Sequence, residues 1–525
     1  MIIPQGAVEQ PVRVTCRYLR GGSNDRQLLY PPPLMEREAL ASRVIEMGPA
    51  AASFKSPVLL EVPHFASLRD GERELIVLRS DDAETWQEHT MAYFSSWCNG
   101  SNREQEIYED FVLSSGISPA YEVLDTDRVV RISTQVFPKY FAILSRVKEE
   151  VRAIGADGGK IEISHTPHLQ VYFPNGALQK RIKVAIQIQK VPNTMMSFLC
   201  PSKNGHSLHM SPLVALEPRR RRFHSPVQVM VPLPKKASSD IARRVRLLCS
   251  LTGSTSKANW EDVTDATSFV VRSEERLVIF ETKVSALFWA VAIDINTRID
   301  DSNRTSDSHN DKLDVLRQAT RIYDELILSP YMVRILVLHR PHTPHAWCDS
   351  LRIYCVTDDK AELTFDSKQH ADTSSITTRS MKSATVGGEE WKLIAQTEEF
   401  EVSATSNLRM DISGANLNIA NDCQIEFGYR QTLRFQPFQN NSCTLLVKPN
   451  HPDEPKIAKL QIRRSFEMED FDGEVPPLST LEIDLSPAPN ERSESPTTNM
   501  KNDSPVNALE PTQTHNENSP TNLIS

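Results

Sequence analysis

Residues Leu216 to Pro232 read LEPRRRRFHSPVQVMVP, a four-arginine run followed by an alternating apolar stretch that ends in proline. The chain contains this pattern twice. Phe54-Lys55-Ser56-Pro57-Val58-Leu59-Leu60-Glu61-Val62-Pro63 matches Phe223-His224-Ser225-Pro226-Val227-Gln228-Val229-Met230-Val231-Pro232 at six of ten positions, with a constant spacing of 169 residues. Upstream, Ile3-Pro4-Gln5-Gly6-Ala7-Val8 pairs with Phe173-Pro174-Asn175-Gly176-Ala177-Leu178 at a spacing of 170. Downstream, Trp86 pairs with Trp260, and Phe141-Ala142-Ile143 with Phe288-Trp289-Ala290. Solenoid units repeat every ~20–50 residues, so a period this long implies two copies of a whole domain.

Each copy reads as short strands separated by Pro, Gly and Ser, the signature of an all-β sandwich or barrel. In the first copy, residues 1–148, the strand signals are Arg13 to Leu19, Val58 to Val62, Glu74 to Leu78, Arg128 to Ile132 and Tyr140 to Leu144; Trp97 to Ser118 reads as a loop. In the second copy, residues 155–293, Arg181 to Ile188 alternates strictly, which places one face in a core and the other in water. Its further strands are Val227 to Val231, Val245 to Ser250 and Leu277 to Glu281. The second copy also opens with Gly155 to Ile163 and His168 to Tyr172, about two strands for which the first copy has only Met1 and Ile2 before its turn. The first domain is therefore expected to be short by those strands.

A third region spans 294–465. Asp294 to Lys312 is polar; Leu313, Leu316, Ala319, Ile322, Tyr323, Leu326 and Ile327 then recur at helical spacing and stop at Ser329-Pro330. Strands resume at Val333 to Leu338 and Leu351 to Val356. Residues 466–525 are rich in Ser, Pro, Asn, Thr and Glu and hold too little apolar surface to offset chain entropy, so the tail is expected to be disordered. Ser486, Ser495, Ser504 and Ser519 each precede proline and are candidates for proline-directed phosphorylation.

Composition narrows the function. The longest apolar runs are far below the ~20 residues that span a bilayer, so no direct membrane insertion is expected. The opening MIIPQGAVEQ carries no secretory signal. Eight scattered cysteines without a CxxC pair read as reduced thiols of the cytosol. A net charge of −9 argues against nucleic acid as a partner.

At this point a resemblance becomes specific. Leu216 to His224, Val62-Pro63-His64-Phe65, Gly71 to Ser80, and Pro330-Tyr331-Met332 with Thr357-Asp358-Asp359-Lys360 closely resemble the central region of ankyrins over residues 1–465. The resemblance implies a mainly β fold: two β-sandwich-like ZU-five domains packed with a β-rich UPA domain that carries one amphipathic helix. It further implies a non-enzymatic cytoplasmic adaptor, associated with membranes through its partners, that links membrane proteins to the spectrin-based skeleton. The ankyrin repeats and death domain of the family have no counterpart here. Nor has the Asp-Ala-Arg motif that the family uses for spectrin repeats, which lies in the opening strands absent before Ile3. Two alternatives follow: a signalling or autoinhibitory module like that of netrin receptors, or a spectrin-blind regulatory form.

Several constellations bear on binding. Arg219, Arg220, Arg221 and Arg222 suit an acidic partner, because guanidinium forks pair bidentately with carboxylates; the competing reading is a solvated edge. Arg69, Arg73 and Arg79 lie among Glu72 and Glu74, a mixture that favours local salt bridges, whereas positive charge dominates around Arg17, Arg20 and Arg26. His64-Phe65-Ala66 lacks the serine of the His-Phe-Ser motif at which related domains cleave themselves, so no self-cleavage is expected. The three-residue period of His339, His342, His345 and Cys348 follows from Pro341 and Pro344 and is not read as a zinc site. No catalytic motif and no cofactor signature appears.

Overall fold

The computed structural model describes residues 1–19, 31–90, 92–94, 128–164, 166–199, 206–233, 245–272, 274–295, 308–341, 348–357, 383–386, 389–414, 416–451, 454–466 and 475–485. Arg20, Arg26, His342, His345, the loop read over Trp97 to Ser118 and residues 467–474 and 486–525 of the Ser/Pro-rich tail lie outside them. The expectation of a disordered tail from 466 onward is corrected: Pro477–Asp484 forms a strand antiparallel to Ile457–Ser465, because Ile483 and Leu485 supply apolar surface that is buried in the core of the third region.

Both copies are antiparallel β-sandwiches, and the repeat read from sequence is reproduced in the pairing of the strands they share. In the first, one sheet runs in the order Thr15–Tyr18, Ile45–Gly48, Tyr140–Val147, Arg73–Ser80, Gln87–Glu88. It faces a second sheet in the order Ser53–Pro63, Val129–Val136, Ala92–Phe94. In the second copy the corresponding orders are Glu149–Ile154, Ile182–Gln189, Leu213–Glu217, Leu287–Ile295, Val245–Ser250, Glu261–Asp262, and Gly159–Glu162, Gln170–Phe173, Arg222–Pro232, Leu277–Val284, Phe269–Arg272. Strand Glu149–Ile154, which falls between the two copies as read from sequence, belongs to the second.

The repeated Ser-Pro-Val motif explains a shared irregularity. Pro57 and Pro226 have no N–H to give to a ladder, so the strand must break register around them. Ser53 faces Val136 and pairing resumes at Val58 with Thr134; Arg222 faces Val284 and pairing resumes at Val227 with Thr282. In both copies the threonine hydroxyl closes the gap on the valine carbonyl, Thr134 to Val136 and Thr282 to Val284, each at 2.7 Å. The offset of 170 holds upstream as well: the Lys55 N–H donates to Ala7 O at 2.8 Å as the His224 N–H donates to Ala177 O at 3.0 Å. Ile2 bridges Leu59, the position that Tyr172 takes against Gln228.

The alternating apolar residues of each copy fill its interlayer. Val227, Val229 and Val231 meet Ile186, Val214, Leu247 and Phe280 in the second; Val58, Leu60 and Val62 meet Val77, Ile132 and Ile143 in the first. The third region has its own core between a sheet around Pro330–Arg340, Asp349–Val356 and Asn441–Pro449 and a sheet of Thr432–Arg434, Asn407–Ser413, Ile457–Ser465 and Pro477–Asp484.

Helix Ser308–Leu326 follows the second copy in sequence and was expected to open the third region. Its apolar stripe instead closes a core of the second copy. Val315, Ala319, Ile322, Tyr323 and Leu326 pack on Leu213, Leu248, Trp260 and Trp289, on the sheet face turned away from the sandwich interior. Gln189 donates to the Leu326 carbonyl at 2.8 Å and fixes the helix end to strand Ile182–Gln189.

Candidate protein-binding surface

Charge decides which arginines are free to meet a partner. Buried cations need internal acceptors, since an unpaired charge removed from water costs several kcal/mol or more. Arg69 and Arg73 of the mixed cluster are spent this way. The Arg73 side chain is buried: its Nε donates to Ser145 Oγ at 2.8 Å, and its Nη2 to the Arg37 carbonyl at 2.8 Å and to Ser329 Oγ of the third region at 3.3 Å. Arg69 reaches across to Glu401 at 3.2 Å, with Ser67 Oγ on the same carboxylate at 2.7 Å. Glu74 pairs with Arg146 at 2.7 Å, its neighbour across the ladder, and Glu72 lies 3.6 Å from Lys190 of the second copy. Four of these contacts, Arg73–Ser329, Arg69–Glu401, Ser67–Glu401 and Glu72–Lys190, are therefore joints between regions. The expectation of salt bridges local to the cluster is corrected: Arg69 and Glu72 lie on the short turn Arg69–Gly71 and its end, outside strand Arg73–Ser80, and that turn faces the third region and the second copy.

Arg219 is also internal. Its side chain is 2% exposed, with Nε on Glu217 at 2.9 Å and Nη1 on Glu36 of the first copy at 3.1 Å; Glu36 is itself 7% exposed. Beside it, Arg37 Nη2 donates to Gln187 Oε1 at 2.5 Å, and the Glu36 N–H to the Ser254 carbonyl at 2.8 Å. Burial pushes the Arg37 guanidinium pKa down and the Tyr323 phenol up. Arg219 keeps Glu217 when Glu36 is lost, so Glu36→Gln is expected to cost about 1–2 kcal/mol rather than the full penalty of an orphaned charge. A double-mutant cycle with Arg219→Met, read by urea unfolding, should give a coupling of about 1 kcal/mol or more.

Arg220, Arg221 and Arg222 stand apart. All three are exposed, on the turn that follows Glu217–Pro218 and enters strand Arg222–Pro232. Ser285, itself buried, clamps that turn. It accepts the Arg220 N–H on its carbonyl and the Arg221 N–H on Oγ, both at 2.8 Å, and returns its own N–H to the Arg221 carbonyl at 2.8 Å. The backbone is thus fixed while the side chains project. The register places Lys283 next to the Arg222–Val284 pair, and Lys183 two residues past the Ala185–Glu217 pair, at the same end of the two sheets. Lys183, Lys283 and Arg181 are exposed, and among the described residues none of these six cations forms an ion pair. The outcome is a basic rim. Sequence alone offered only its arginine run; Arg181, Lys183 and Lys283 join it through strand pairing.

Arg17 is exposed on edge strand Thr15–Tyr18, opposite Glu46. His339 lies 3.9 Å from Asp349, and Cys348 contacts Cys423, so two members of the three-residue period have other partners.

The fold and surface can be set beside known proteins. The ZU5 domain family matches residues 1–81 and again residues 151–249, the two copies read from the repeat. Human ankyrin-3 is 38% identical over 382 residues, covering 70% of this chain, and human ankyrin-1 is 33% identical over 482 residues, covering 90%. This is an ankyrin-family region built on ZU5 domains. It spans 8% of the length of human ankyrin-3 and 22% of human ankyrin-1. The match to mouse ankyrin-1, 32% identical over 482 residues, extends as far and takes in most of the third region beyond the ZU5 pair. The ankyrin-family region is mainly β, as the strand patterning requires, and among its described residues no helix is long and apolar enough to cross a membrane. It belongs to a family of non-enzymatic cytoskeletal adaptors.

Proposed function

We propose that this ankyrin-family region is a cytoplasmic adaptor that couples membrane proteins to the spectrin-based skeleton, holding an acidic segment of one partner on the basic rim of its second repeat. The observation that carries this reading is the rim itself: exposed cations without internal partners, on a turn held by Ser285, beside arginines that the fold buries. A turn backbone already held in place confines the ordering cost of binding to the side chains. The third region, 294–465, fits the UPA role of bracing the repeats, since Arg69–Glu401 and Arg73–Ser329 tie it to the first. Of the two kinds of partner, spectrin repeats are the one tested on this rim, and tail phosphorylation at Ser486, Ser495, Ser504 or Ser519 would add negative charge to the same chain.

The test is titration calorimetry against a spectrin-repeat fragment at two salt concentrations, with wild type and an R220E/R221E/R222E variant. Reversing three exposed charges is expected to weaken binding about 10-fold or more and to flatten its salt dependence, with circular dichroism unchanged. Equal affinity of the variant removes the rim as the site. No binding by wild type removes the spectrin assignment.

A further inference from the structure

In the third region two thiols meet. Cys348 Sγ and Cys423 Sγ are 3.6 Å apart, within one small apolar cluster with Ala420 and Leu446. Cys348 immediately precedes strand Asp349–Val356 and is 3% exposed; Cys423 sits in the short helix Asn421–Glu426 and is partly open to solvent. The two residues are far apart in sequence, so their meeting is a product of the fold. The helix is pinned by its neighbours: Gln424 Nε2 donates to the Thr444 carbonyl and Gln424 Oε1 accepts the Leu446 N–H, both at 2.8 Å. A disulfide needs the sulfurs at ~2.05 Å, so about 1.5 Å of approach remains, within reach of side-chain rotation.

We propose that Cys348 and Cys423 form a reversible, peroxide-oxidisable pair that staples the helix to the sheet. The more accessible Cys423 sulfur attacks one peroxide oxygen; the O–O bond breaks, water leaves after proton transfer, and Cys423 becomes a sulfenic acid. Cys348 then attacks that sulfur, the S–O bond breaks and a second water leaves. Two thiols and one hydrogen peroxide thus give one disulfide and two waters. Burial and the neighbouring thiol push the Cys348 pKa up to about 11, which suits it to the second, intramolecular step rather than the first. What the staple would hold is an exposed apolar knob. Ile425 is 80% exposed, and Phe427 and Tyr429 follow it on the surface. The bond would therefore fix this surface when oxidised and let the helix loosen when reduced.

The experiment treats the purified chain with hydrogen peroxide in a Cys16→Ser background, which removes an exposed competitor, and reads non-reducing peptide maps and hydrogen exchange. Expected is one cross-linked peptide joining Cys348 and Cys423, lighter by about 2 Da than the two thiol peptides together and reversed by dithiothreitol. Exchange over residues 420–429 should slow several-fold on oxidation, and Cys423→Ser should abolish both effects. Cys423 trapped as sulfinic acid with Cys348 still a thiol would overturn the proposal. So would a cross-link that leaves exchange over the helix unchanged.

Discussion

Truncating Phe65 to alanine is expected to cost about 3–5 kcal/mol and to loosen the first repeat from the third region. Phe65 belongs to the first repeat by sequence, yet its ring lies 3% exposed in the core of the third region, with Tyr331, Val402 and Phe435 around it. The Phe438 ring stands edge-on to it at 6.1 Å. The backbone is threaded through the same joint: the Phe65 N–H donates to the Ala41 carbonyl at 2.8 Å, and its carbonyl accepts the Met332 N–H at 2.9 Å. Tyr331 OH closes the other side on the Leu40 carbonyl at 2.7 Å. Removing the ring leaves a cavity that these bonds keep from collapsing, which places the cost at the high end for a core truncation. Urea unfolding measures the loss, and hydrogen exchange locates it; faster exchange should concentrate in Pro330–Arg340 and Ala39–Leu40. A loss under about 1 kcal/mol would mean that the ring only fills space between independently stable bodies.

The second large effect concerns Trp289. Its side chain is fully buried in strand Leu287–Ile295, with ring centroids 5.4 Å from Trp260 and 6.5 Å from Tyr323 of helix Ser308–Leu326. Its Nε1 donates to the Ser211 carbonyl at 2.8 Å. Trp289→Ala removes both the aromatic contact and that donor, and about 4–5 kcal/mol should be lost, with the helix unlatched. Trp289→Phe retains most of the packing and orphans only the Ser211 carbonyl, for about 1–3 kcal/mol. Near-ultraviolet circular dichroism reports the tryptophan pair directly. If both substitutions cost the same, the hydrogen bond rather than the packing holds this layer.

Much of the architecture was legible from residues because it rests on local rules. Alternation at period two set the strands and the 169-residue spacing set the duplication, whereas the register break that the proline of the Ser-Pro-Val motif imposes came to light in the strand pairing. Helical spacing from Leu313 to Ile327 likewise announced the helix, although it starts at Ser308, within the stretch read as a polar linker, since the apolar stripe marks only the part of the helix that is buried. Each of these depends on residues close together in the chain, or on one segment compared with its copy.

What only the tertiary structure decided is which partner each surface meets. The helix stripe could have faced any apolar layer, and Trp260 and Trp289 claimed it for the second repeat. Arg219 and Arg220 are adjacent in sequence and equal in charge, yet the turn sends the first to Glu36 and leaves the second in water. The Cys348 and Cys423 thiols meet across a long loop of chain. Periodicity records whether a side chain is buried, because transfer from water depends on its own apolar surface. It does not record against what, because burial is non-directional, and the choice falls to shape and to acceptors brought together only when the distant segments have packed.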